Sequence, residues 1–292
     1  MRRKLRAVPV TRMFDAMSEG SDQSLLRRLG RAAGLLAGAA ALLWSTAAEA
    51  KTLYFPHQDA RFLYRFQRNG GAAVVPEKAE GTEPLPLVVF LHGTNPTSET
   101  HMWFGGGGRD LRPLVKRLID SGQVKPFILA APSQTKNAGL AATVWQGFDL
   151  NAFVDDVVKA TDGRATIDRS RVVLAGHSGA GCNPSGGLAA DFWSAGVPLP
   201  LALVSIDPCL DRKMGGAFAR RPTEVPLLLW WQPAIWIRQP AKFEAALARD
   251  KPEQRVDRVR ELPPMGANPH EAICPSARYS ALRELFGNTP SE

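Results

Sequence analysis

The sequence predicts an α/β protein: a doubly wound, mostly parallel sheet with helices on both faces. Three observations carry this. Apolar runs at 85–91, 201–206 and 225–231 lack the alternation of a half-exposed strand, as expected for strands covered on both sides. Segments with helical spacing alternate with these runs along the chain. One apolar run, beginning at Arg171, leads straight into Ser178, which is held between glycines.

The elements follow in order. Thr52-Leu-Tyr-Phe and Phe62-Leu-Tyr-Arg-Phe read as extended segments, and the Pro-, Gly- and charge-containing stretch from Gly70 to Pro84 reads as a loop. Leu85 to Leu91 is a buried strand with His92-Gly93-Thr94 at its end. Asp110 to Ser121 has apolar residues at 111, 114, 115, 118 and 119, which makes a helix with Asp110 as its cap. Pro126 to Ala131 is a strand and Asp149 to Ala160 an amphipathic helix. After Ser178, Asn183-Pro184 interrupts the next helix early, because the residue before proline disfavours helical dihedrals. Strands at Leu201–Ile206 and Val225–Trp231, a helix near 241–249, an edge strand at Val256–Leu262 and a helix near 277–286 complete the pattern. No linker marks a second folded domain, so residues 51–292 are read as one.

The chain has 292 residues, of which 45% are hydrophobic and 22% charged. That is enough to bury a full core. Its net charge of +8 is uneven, because eight basic and four acidic residues stand in 1–50. From Lys51 onward the excess falls to about +4, with no basic stripe interleaved with aromatics, which argues against nucleic acid as a partner. Residues 1–50 read as an export signal and its preceding segment. Arg27-Arg28 and Arg31 precede the apolar run Ala32–Trp44, and small residues at 48 and 50 suit cleavage before Lys51. The run is too short to span a bilayer comfortably, so no membrane span is expected in the mature protein, and a periplasmic or secreted location is.

Ser178 reads as a nucleophile on a tight strand-to-helix turn. Gly176 and Gly179 relieve crowding where the backbone turns sharply, and the amides that follow can face a developing oxyanion. Position 180 is alanine where a five-residue glycine–serine–glycine pattern would have its last glycine, which here follows at 181. Alanine is small enough for the role. The run Gly105–Gly108 lacks a preceding strand and a Lys-Ser/Thr ending, so it is no phosphate loop, and no cofactor or metal site is expected.

The Gly176-His-Ser178-Gly-Ala turn, together with the earlier strand ending in His92-Gly93, resembles the α/β-hydrolase family over roughly residues 60–288. That resemblance implies a serine, acid, histidine order along the chain, with the site at the carboxyl ends of the strands. Of the five histidines, His57 precedes the fold proper, His92 belongs to the oxyanion loop, His101 follows it, and His177 points away from a sharp turn. His270 remains, in the loop before the last helix, where the family carries its base. The acid is most often found after the strand that here is Val225–Trp231, but that strand ends in Gln232-Pro233. The preceding strand ends in Asp207-Pro208, a position some relatives use, so Asp207 is the expected acid, with Asp211 in reserve. The oxyanion donors implied are the amides of Thr94 and Gly179.

Cys182, Cys209 and Cys274 all gather near these loops, and Cys209–Cys274 is expected as the disulfide in preference to Cys182–Cys209. Trp103, Trp145, Trp231 and Gln232 are candidate pocket residues; Trp230 and Trp231 should point to opposite faces of their strand. The function expected is a secreted serine hydrolase cleaving carboxylic esters, its partner a small-molecule or polymer-derived ester. The alternatives are an amidase, peptidase or acyltransferase with the same triad, or a non-catalytic binding protein of this fold.

Overall fold

The computed structural model describes residues 51–57, 70–77, 83–96, 110–134, 139–189, 198–222, 224–233, 240–250, 258–261, 270 and 280–287. All belong to the unit Glu49–Glu292. The expected export segment, the strand at 62–66, Trp103, the 105–108 run and Cys274 lie outside the described residues.

Among the described residues eight strands form one sheet: β1 (Lys51–Phe55), β2 (Gly71–Val75), β3 (Leu85–Leu91), β4 (Ile128–Pro132), β5 (Ile167–His177), β6 (Ala202–Ile206), β7 (Leu227–Trp231) and β8 (Arg258–Glu261). Their order across the sheet is β1-β2-β4-β3-β5-β6-β7-β8. Strands β3 to β8 run parallel, and β2 lies antiparallel between β1 and β4. Strand β2 corrects the expectation of a loop from Gly70 to Pro84. Its sequence, Gly-Ala-Ala-Val-Val, is short and hardly alternates, yet every residue is buried because both edges are paired.

The parallel strands are apolar on both faces because each face has its own core. On β3, Leu87, Val89 and Leu91 enter one cluster while Val88 and Phe90 enter the other. Strand β7 divides in the same way: Trp230 is fully buried on one face and Trp231 packs half-buried against the opposite core.

The helices α1 (Arg112–Asp120), α2 (Leu150–Thr161), α3 (Arg212–Ala219) and α4 (Pro240–Asp250) connect the strands. Asp149 caps α2, accepting from the amides of Asn151 and Ala152, both at 3.0 Å. Asp110 is not the cap of α1; Leu111 takes that position, and Asp110 accepts from the Arg112 amide at 2.9 Å while pairing with its guanidinium. No described helix is long and apolar enough to cross a membrane.

The strand order places the site. From β3 the chain goes outward to β4 on one side, and β5 returns on the other side of β3. The connections that leave β3 and β5 therefore lead to opposite sides of the sheet, and the crevice at such a reversal is where ligands bind in open parallel sheets.

Candidate active site

Four strands end at a common level beneath this crevice. Leu91 of β3 pairs with Gly176 of β5, His177 with Ile206 of β6, and Ile206 with Trp230 of β7. The next residues, Ser178 and Asp207, thus leave adjacent strands side by side, about 4.8 Å apart in the hydrogen-bonding direction. Both do so with positive φ, 52° for Ser178 and 48° for Asp207. An L-residue there costs about 1–2 kcal/mol. Among the described non-glycine residues the third with positive φ is Trp145, at 58°, which packs against His92 in the same crevice. Concentrated backbone strain of this kind marks functional sites.

His270 bridges the two side chains. Its Nε2 lies 2.8 Å from Ser178 Oγ and its Nδ1 2.5 Å from Asp207 Oδ2. An ionised carboxylate only accepts, so Nδ1 carries the hydrogen and Nε2 offers its lone pair to the serine hydroxyl. Asp207 is fully buried, while the His270 side chain is 24% exposed. The carboxylate is therefore shielded from water while the imidazole is partly exposed. His177, as expected, faces away from Ser178. Its Nε2 donates to the His270 carbonyl at 3.0 Å, and the two rings stand 4.7 Å apart. Asp211, the reserve acid, instead caps α3, its Oδ1 accepting from the Met214 amide at 2.8 Å.

Close backbone approach explains the glycines of the turn. A Cβ on Gly176 would stand 2.8 Å from the Ala180 methyl, so alanine at 180 fits only because 176 has no side chain. A Cβ on Gly179 would lie 2.9 Å from the amide nitrogen of Thr94. The exits of β5 and β3 thus bring their backbones together beside Ser178, where the two expected oxyanion donors stand.

The β3 exit is held by a network that sequence reasoning missed. His92 Nδ1 donates to the Gly93 carbonyl at 2.7 Å, and its Nε2 accepts from the Gln134 amide at 2.9 Å, which fixes one tautomer. Trp145 Nε1 donates to the His92 carbonyl at 2.7 Å, and its amide to Gln134 Oε1 at 2.5 Å. Trp145, expected as a pocket wall, is fully buried and braces the segment that follows β3. Asn183 donates to the Val144 carbonyl at 2.9 Å, tying the segment after the elbow to the same brace. Only Asn183-Pro184 gave a hint of this in the sequence, as an interruption. The helix after Ser178 is indeed cut short: a 3-10 turn spans Ser178–Gly181 and another Gly187–Ala189.

Gln232, also expected in the pocket, is fully buried against Asp207. Trp231 stays half-buried at the end of β7. The disulfide joins Cys182 to Cys209, with Cα atoms 4.8 Å apart, and this corrects the expected Cys209–Cys274 pairing. The reason is register. Cys182 closes the turn after Ser178 and Cys209 follows Asp207, so two adjacent strand exits already hold the pair together.

Solved structures share this architecture. A ferulic acid esterase matches with a TM-score of 0.54 at 13% identity, over 82% of this chain and 98% of its own. A feruloyl esterase module from Clostridium thermocellum gives 0.53 at 13%, over 83% of this chain and 96% of the module. The enterobactin esterase of Shigella flexneri gives 0.54 at 15%, over 82% of this chain and 60% of that one. No family model and no curated protein sequence matches. At these identities the likeness establishes the fold, that of the α/β-hydrolases, and nothing narrower.

Proposed function

We propose that this protein is an exported serine hydrolase that cleaves carboxylic esters through an acyl-enzyme. The observation that carries the reading is the continuous contact from Ser178 Oγ through His270 to the buried Asp207 carboxylate, at 2.8 and 2.5 Å. In the first half-reaction Ser178 Oγ bonds to the ester carbonyl carbon and its proton passes to His270 Nε2. Asp207 stays ionised and stabilises the imidazolium through Nδ1. The amides of Thr94 and Gly179 receive the oxyanion. When the C–O bond breaks, the leaving alkoxide takes the proton from Nε2. Water then attacks the acyl-enzyme, gives a proton to Nε2, and releases the acid as Ser178 Oγ recovers that proton.

The names of the similar solved structures accord with ester cleavage. Export is part of the same proposal: the leader-like residues 1–50 and the Cys182–Cys209 bridge both suit an oxidising compartment. Matched p-nitrophenyl esters and anilides test the reaction class. Ester turnover that is abolished in S178A supports the reading. Turnover of anilides alone would replace it with an amidase, and turnover retained by S178A would remove Ser178 from the chemistry.

A further inference from the structure

The environment of the Asp207 carboxylate draws on more than one strand end. This carboxylate is fully buried, and a buried anion is tolerated only when donors surround it. His270 supplies one donor, to Oδ2. Two more come from a single residue on the neighbouring strand end. The backbone N–H of Gln232 points to Oδ1 at 3.3 Å, and its side-chain Nε2 donates to Oδ2 at 3.0 Å. Because the carboxylate only accepts, the side-chain amide must present its NH2 group here, which fixes its orientation. One residue thus holds both oxygens, and the plane of the carboxylate cannot rotate without breaking a bond to Gln232. Gln232 is itself fully buried, so water does not compete for these contacts.

We infer that Gln232 is a positioning residue: it locks the Asp207 carboxylate in the plane that meets His270 Nδ1, and thereby sets the imidazole for Ser178. The register gives the reason for its location. Ile206 pairs with Trp230, and the Asp207 amide donates to the Trp230 carbonyl at 2.7 Å. The ends of β6 and β7 are thus locked in step, and the residue after Trp231 comes level with the carboxylate. A carboxylate at 232 would set two like charges about 3 Å apart, and one would have to hold a proton. An amide of the same length removes that conflict and adds a donor.

The inference rests on the ester-hydrolase reading, and its test separates the two. Q232M keeps length and bulk but removes the side-chain donor, and Q232E keeps shape but replaces the donor with a carboxylate. Each is assayed on a p-nitrophenyl ester, with rates normalised to sites titrated by a fluorophosphonate. In parallel, the downfield proton resonance of the His270 Nδ1–H is compared with that of the wild type. For both variants kcat is expected to fall at least tenfold with KM within twofold, and the downfield resonance to move or broaden. A purely structural role would reduce the number of titratable sites and leave kcat per site unchanged. If Q232M does not fold, Q232E decides, assayed at alkaline pH where the pair of carboxylates shares no proton and position 232 offers no side-chain donor. Wild-type kcat per site with an unaltered resonance in the folded variant overturns the inference. If the wild type hydrolyses no ester, the ester-hydrolase reading fails, and the resonance still decides what Gln232 does.

Discussion

Removing the Cys182–Cys209 bridge tests how the elbow and the acid loop are held. The double substitution Cys182→Ala/Cys209→Ala deletes it without leaving a thiol at either position. The two cysteines are 27 residues apart in sequence. In the chain-entropy description, a loop of that length restricts the unfolded state by roughly 3.5 kcal/mol. For a domain of this size each kcal/mol moves Tm by about 2–4 °C, so the expected fall is about 7–14 °C. Activity should decline as well, at a temperature where the variant is still folded, because the bridge joins the first turn after Ser178 to the loop two residues beyond Asp207. The assay is thermal unfolding of wild type and variant by circular dichroism, with ester turnover measured well below both midpoints. Peptide mapping without reduction should recover Cys182 linked to Cys209, with Cys274 free. An unchanged Tm, or a Cys209–Cys274 peptide, refutes this account of the bridge.

Three substitutions probe the rest of the site. Asp207→Asn should keep the fold and lower turnover by about four orders of magnitude, since an amide cannot hold His270 in the required tautomer. Asp211→Asn should change little, because asparagine caps a helix as well as aspartate does. Equal losses in both variants, measured as kcat/KM, would contradict the assignment of the acid. Gly179→Ala would force a methyl to within 2.9 Å of the Thr94 amide. Overpacking of this kind costs about 1–3 kcal/mol of stability. If the Thr94 amide serves as the proposed oxyanion donor, displacing it should also lower kcat by about 100-fold or more, with denaturant melts and initial rates as the readouts. Full activity in Gly179→Ala would mean that the Thr94 amide does not face the reacting carbonyl.

Much of this architecture was legible because parallel strands announce themselves as unbroken apolar runs. The runs at 85–91, 201–206 and 225–231 all became strands, and the sharp exits after His177 and Ile206 were marked by glycine and proline respectively. The three side chains singled out as serine, acid and base are the three that meet. What was hidden depends on pairing rather than on local pattern. Strand β2 is five small residues whose strand character comes from its two neighbours. The disulfide partner followed from register between β5 and β6, which cysteine spacing does not encode. Trp145 looked like an aromatic wall because burial cannot be read from residue type, yet its indole is inside, donating to a backbone carbonyl. Gln232 stood out as a neutral residue where an acid is usual at the end of β7, and as a candidate pocket residue, but not as a donor to the Asp207 carboxylate. Its part becomes visible once the sheet order brings it beside Asp207.

The most direct test of the central claim is reaction of the folded protein with a fluorophosphonate, followed by mass spectrometry of the modified peptide. Ser178 is half-buried, with its hydroxyl 2.8 Å from His270 Nε2, so a reagent can reach it and the imidazole stands where a general base would. One adduct per chain is expected, located on Ser178, with ester turnover lost in proportion. Asp207→Asn should slow the labelling without changing its site. A folded protein that takes up no label, or carries it elsewhere while Ser178 stays unmodified, would contradict the account.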